Sequence, residues 1–172
     1  MTDTESAVRS LLDTDFSTPI TDRWFEDYVP GATFEYGYRT VTEREILDFA
    51  AEFDPQPFHV DAGSAAAGPF GGLIASGWHS GSILMRIYAD HYLSRVASLA
   101  SPGIDELRWA NPLRPGDSVR LRATVSESRR SRSKPDRGLV STRAELLKHD
   151  GSSVVDLVFM NIIRCRPRYP NE

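Results

Sequence analysis

The stretch Asp54-Pro55-Gln56-Pro57-Phe58-His59-Val60-Asp61 sets a carboxylate five residues ahead of an imidazole, and a glycine-rich run, Gly68-Pro69-Phe70-Gly71-Gly72-Leu73-Ile74-Ala75-Ser76-Gly77-Trp78, follows closely. An acid, an imidazole and a backbone able to approach a ligand closely are together the parts needed to activate water beside a carbonyl. Proline fixes φ and biases the residue before it toward extended backbone. The segment between Asp54 and His59 is therefore expected to be stiff and non-helical. Asp54 is the candidate proton acceptor, with partial desolvation raising its pKa. The alternative is that it only accepts backbone hydrogen bonds in a proline-containing turn. His59 would share the water and shuttle protons, although a lone histidine also serves structure. Asp61 makes a His-x-Asp pair, but two ligands without a third give no metal site. Asp61 is expected to cap the next segment, and no metal is expected.

These residues need elements to hold them. Thr33 to Thr40 alternates aromatic and polar residues, as a half-buried strand does. Thr42-Glu43-Arg44-Glu45 has the spacing of a capping box, and Ile46, Phe49, Ala50 and Phe53 continue at helical spacing, so this helix should end near Asp54. Gly68 to Gly72 is a poor helix interior. From about Gly77 to Val96 the pattern is helical and largely apolar. Strands are expected over Ile104–Trp109, Ser118–Arg129, Gly138–Lys148 and Ser153–Arg166, separated by Pro- and Gly-containing turns. This order predicts an α+β fold. Residues 1–22 read as an arm or short packing helix around Val8, Leu11 and Leu12, and 23–172 as one domain.

The chain has 172 residues, enough for a core without staples, with 40% hydrophobic and 26% charged residues. A formal charge of −4 argues against nonspecific nucleic-acid binding. The single cysteine, Cys165, cannot form an intramolecular disulfide. With an acidic N-terminus and no long apolar window, the reading is a cytosolic protein without a membrane span.

Asp54-x4-His59, followed by Phe70-Gly71-Gly72 and Ile74-Ala75-Ser76-Gly77-Trp78, resembles the signature of the MaoC-like dehydratases, the (R)-specific enoyl-CoA hydratase branch of the hotdog superfamily. Weaker similarity runs through Glu106-Leu107-Arg108-Trp109 and Pro112 to Asp117. The resemblance implies a single hotdog: a curved antiparallel sheet wrapped around a long central helix. It also implies a homodimer or higher even oligomer, with sites where subunits meet. Many members carry Asn where this chain has Gln56, and His where it has Ser76; a serine used by some hydratases falls at Met85.

On that resemblance the catalytic set is Asp54, His59 and Gly77. At a helix start, the Gly77 N–H could bind a thioester oxygen as it becomes enolate-like; the plainer role for Gly71, Gly72 and Gly77 is a tight crossing into the helix. Phe58, Phe70, Gly72, Ser76 and Trp78 form the substrate-binding set, although Phe58, Phe70 and Trp78 are equally suited to the core. His79 lies off the face of Gly77 and takes no role. The implied reaction is reversible hydration of an enoyl thioester, with coenzyme A entering as part of an acyl-CoA substrate and no separate cofactor. A hotdog thioesterase and a non-catalytic acyl-CoA-binding subunit are the alternatives. The cluster Arg129-Arg130-Ser131-Arg132-Ser133-Lys134 is either a dock for the carrier's phosphates or a solvated hairpin tip.

Overall fold

A computed structural model describes residues 11, 12 and 15–167; Val8 of the expected N-terminal helix lies outside the described residues. Strand β1 (Thr33–Thr40) leads into helix α1 (Glu43–Phe53). Two short helices, α2 (Pro57–Val60) and α3 (Ala62–Ala67), precede α4 (Gly77–Ile87), which runs on into a π turn at Tyr88–Tyr92. Strands β2 (Ser98–Trp109), β3 (Ser118–Arg130), β4 (Arg137–Lys148) and β5 (Ser153–Arg164) complete the chain. They form one sheet in the order β1-β3-β4-β5-β2, antiparallel throughout.

Alternation along the inner strands decides which face is covered. In β3, Val119, Leu121, Ala123 and Val125 are buried, and in β4, Val140, Thr142, Ala144 and Leu146. Period-2 burial of this kind marks a sheet with one face on a core. That face meets Ile83, Leu84, Ile87, Tyr88 and Tyr92 of the central helix. Two polar contacts tie helix to sheet: the Tyr92 hydroxyl lies 3.0 Å from Thr142 Oγ1, and Asn161 Nδ2 donates to the Tyr88 hydroxyl at 2.7 Å. The arrangement is the expected hotdog.

The central helix is shorter than its apolar pattern suggests, stopping at Tyr92 rather than Val96. The buried Arg23 guanidinium donates to the carbonyls of His91 and Tyr92, at 3.0 and 2.7 Å, and so satisfies the helix end. Ser94 then turns away, its N–H bonded to the Tyr28 hydroxyl and its Oγ to the Arg23 carbonyl. β2 begins six residues earlier than the expected Ile104, because Ser98 already pairs with Ile163. Pro102 within it looks like a turn signal, but an edge strand tolerates proline, and the register shifts around it. Upstream of the domain, Phe16 stacks on Phe34 with ring centres 4.0 Å apart.

Candidate active site

α1 delivers the carboxylate. Thr42 Oγ1 accepts from the Glu45 N–H while Glu45 reaches back to the Thr42 N–H, the expected capping box. The helix ends where Asp54 donates its N–H to the Ala50 carbonyl. The next segment corrects the expectation of a non-helical connection. Pro57 occupies the first position of α2, where its missing N–H costs nothing and its fixed φ favours the turn. His59 therefore sits on one helical turn and is buried.

The extended run Leu73 to Ser76 returns along α2. Ile74 donates its N–H to the Phe58 carbonyl at 3.3 Å, and Ala75 donates to the Leu113 carbonyl at 2.8 Å. His59 Nδ1 lies 2.8 Å from the Ile74 carbonyl oxygen, which can only accept, so Nδ1 carries the proton. In the neutral ring this leaves the lone pair on Nε2, which faces Asp54 Oδ2 at 3.5 Å. Two acceptors at that separation are suited to a proton donor bound between them.

Asp54 is held from both sides. Gln56 Nε2 donates to Oδ1 and Ser76 Oγ to Oδ2, each at 2.7 Å. These bonds, Gln56's first, lower the Asp54 pKa below its ordinary value and outweigh desolvation. The upward shift expected from burial is thus reversed: the carboxylate stays charged and is a poor resting place for a proton.

Ser76 is also the N-cap of α4, its Oγ accepting from the Trp78 N–H at 3.2 Å. Gly77 takes the first helical position, where an N–H has no partner within the helix. The Trp109 ring covers Gly77 so closely that a Cβ there would lie 2.6 Å from it. A tight crossing and a free amide therefore coincide at this residue.

The two ionisable groups open into a cavity of about 490 Å³, lined also by Phe58, Phe70, Gly77, Trp78, Ser80 and Trp109. Most of the residues named from sequence thus converge. Ser76 stands behind the wall, fully buried, and Gly72 packs toward Arg114 Nη1; neither lines the cavity. Phe70 is held by its carbonyl, which accepts from Arg114 Nη2 at 2.6 Å. Trp78 and Trp109 meet edge to face with ring centres 5.3 Å apart. Both remain about half exposed, which rules out a plain core role for Trp78.

Ser80 and Trp109 were not legible as site residues. Met85 is partly exposed and away from the cavity, whereas Ser80 is buried in its wall with Oγ donating to the Ser76 carbonyl at 3.3 Å. The signal for Ser80 was its place one turn after Ser76 on α4. Asp61 caps α3 through the Ser64 N–H, as expected. No group of three or more His, Cys, Asp or Glu among the described residues could hold a metal ion. The basic cluster occupies the β3–β4 turn, where Arg137 pairs with Arg164, at the far end of the sheet from the β2 end carrying Trp109.

Known proteins match this arrangement. The model of the MaoC like domain matches residues 27–145. The chain belongs to the MaoC-like dehydratase family. It is 36% identical over 88 residues to 3-hydroxyacyl-thioester dehydratase Z of Mycobacterium tuberculosis, covering 50% of this chain and 58% of that protein. It thus spans little more than half the length of that relative. The MaoC-like dehydratase of Rhodospirillum rubrum superposes with a TM-score of 0.77 at 36% identity, over 85% of this chain and 99% of the other. The R-hydratase PhaJ1 of Pseudomonas aeruginosa shares the fold at a TM-score of 0.66 and 24% identity, over 87% and 94%. Among the described residues of this family member, no helix is long and apolar enough to cross a membrane.

Proposed function

We propose that this MaoC-like protein is a hydro-lyase that reversibly adds water across the α,β double bond of an enoyl thioester, with coenzyme A as carrier. The observation that carries the reading is the 3.5 Å gap between Asp54 Oδ2 and a His59 Nε2 whose partner nitrogen is already committed. Water bound there donates to both groups. Its oxygen adds to the β-carbon as one O–H proton passes to Nε2, and the π electrons move onto the thioester oxygen. The Gly77 N–H receives that charge; one such donor is typically worth about 3 kcal/mol. The imidazolium then returns its proton to the α-carbon, while Asp54 stays anionic and stabilises the charged ring. General acid–base groups so placed typically contribute about 10² to 10⁴ in rate.

The name of the R-hydratase relative supports an (R)-3-hydroxyacyl product. A homodimer is supported by β2, a sheet-edge strand exposed along nearly its whole length, with Ile104 45% and Trp109 48% exposed. Because Trp109 at the end of β2 lines the cavity, pairing of two such edges would bring the second copy near its wall.

The test is incubation with crotonyl-CoA, following loss of enoyl absorbance alongside release of free thiol. Absorbance loss without thiol is the expected result. Thiol release without hydration assigns a thioesterase, and a wild type that turns over no faster than an inactive Asp54→Asn assigns a non-catalytic acyl-CoA-binding subunit.

A further inference from the structure

Ser76 does not touch the cavity, yet it joins its two working parts. Its single hydroxyl proton goes to Asp54 Oδ2 at 2.7 Å, so the same oxygen is free to accept, and it does so from the Trp78 N–H at 3.2 Å. Its carbonyl in turn receives the Ser80 N–H at 3.0 Å and the Ser80 hydroxyl. The residue is fully buried, 22 positions from Asp54 in sequence.

We propose that Ser76 is a positioning residue that fastens the Asp54 carboxylate to the first turn of α4, so that one hydroxyl sets both the charge partner of the imidazole and the amide that faces the substrate oxygen. This assignment rests on the hydration reading above. By occupying the Trp78 N–H, Ser76 leaves the neighbouring Gly77 N–H as the donor in the cavity wall. By binding Oδ2, it aims that oxygen at Nε2 and fixes the 3.5 Å gap. Gln56 performs the second half of the clamp on Oδ1, from an exposed position.

The groups facing Asp54 are few. Among the described residues, His59 approaches from α2, Ser76 from the cap of α4 and Gln56 from the connecting segment. His79, on α4, stacks on Phe49 and senses Glu45 and Arg39 instead. Removing a donor from Asp54 therefore leaves one direction of change, easier proton uptake by the pair.

The experiment measures hydration of crotonyl-CoA from pH 4 to 9 for wild type, Ser76→Ala, Ser76→Thr, Ser76→Cys and Gln56→Ala. Loss of a hydrogen bond to the charged carboxylate favours its protonation, so the acid limb of kcat moves up by about one pH unit in Ser76→Ala. In that variant kcat at pH 7 falls about tenfold with KM little changed, and Ser76→Thr restores both limb and rate. Gln56→Ala, at an exposed site, moves the limb in the same direction, and Ser76→Cys, close in size but a weak donor, decides the matter if Ser76→Ala does not fold. A wild-type pH profile in Ser76→Ala overturns the assignment, as does equal loss in Ser76→Ala and Ser76→Thr without a shifted limb. Wild type beside Asp54→Asn separates the two readings. A wild type that does not hydrate crotonyl-CoA ends the hydratase reading itself, whereas an active wild type and an inactive Asp54→Asn beside an unshifted Ser76→Ala end only the role of Ser76.

Discussion

Asp54 keeps its charge because two neutral donors hold it, and that fixes the division of labour between acid and imidazole. In the proposed reaction the carboxylate orients and stabilises while the ring moves the proton. Gly77 is the third position that proposal relies on, and steric contact makes it testable. A methyl group there would sit 2.6 Å from the Trp109 indole, well inside van der Waals contact. Gly77→Ala is expected to lose both stability, by about 1–3 kcal/mol as overpacking does, and hydration rate, because the ring or the amide must move. Trp109→Ala in that background should recover the urea midpoint. A Gly77→Ala protein with wild-type stability and rate would contradict the close approach. Asp54 and His59 were legible because a short spacer sets them side by side, and Gly77 because a family motif carries a helix-opening glycine there. The Ser76–Asp54 bond and the Trp109 cover were not, since each joins residues more than twenty positions apart and depends on how the run from Leu73 to Ser76 returns along α2.

At the scale of elements, α1 matters because its last turn positions Asp54. The capping box at its start was readable from Thr42 and Glu45, and the end at Phe53 from the proline two residues on. Glu45 also pairs with Arg39, and the Thr42 backbone N–H, first among the causes, holds the Glu45 carboxyl at about 2, well below 4.5. A depressed carboxyl stabilises the folded state above its unfolded value and loses that contribution as pH falls. Between pH 4.5 and 2 the wild type should therefore lose stability more steeply than Glu45→Gln, in urea titrations followed by circular dichroism. Parallel curves for the two proteins would show that Glu45 is not held this way. Thr42→Ala should cost about 1 kcal/mol. The lengths of the central helix and β2 were misjudged for a common reason. Both ends are set by distant partners, Arg23 for the helix and Ile163 for the strand, which local pattern does not contain.

Over the whole molecule, one inner face of the sheet is covered by the central helix, whereas β2 leaves an edge with Ile104 and Trp109 exposed. In the proposed dimer that edge is occupied by a second copy. Light scattering should then give twice the 19.2 kDa chain mass, and Ile104→Lys should shift it toward the monomer. A wild-type monomer at assay concentration would remove the dimer from the account. The hotdog arrangement was legible from the glycine-flanked motif and the run of strands, but the open edge was not, because exposure of both faces of β2 is a property of the assembled sheet. The most direct test remains the reaction. Wild-type protein mixed with crotonyl-CoA should lose enoyl absorbance without releasing thiol, and Asp54→Asn should lower that rate by at least about a hundredfold. An undiminished rate in Asp54→Asn, or thiol appearing in step with substrate loss, would contradict the account.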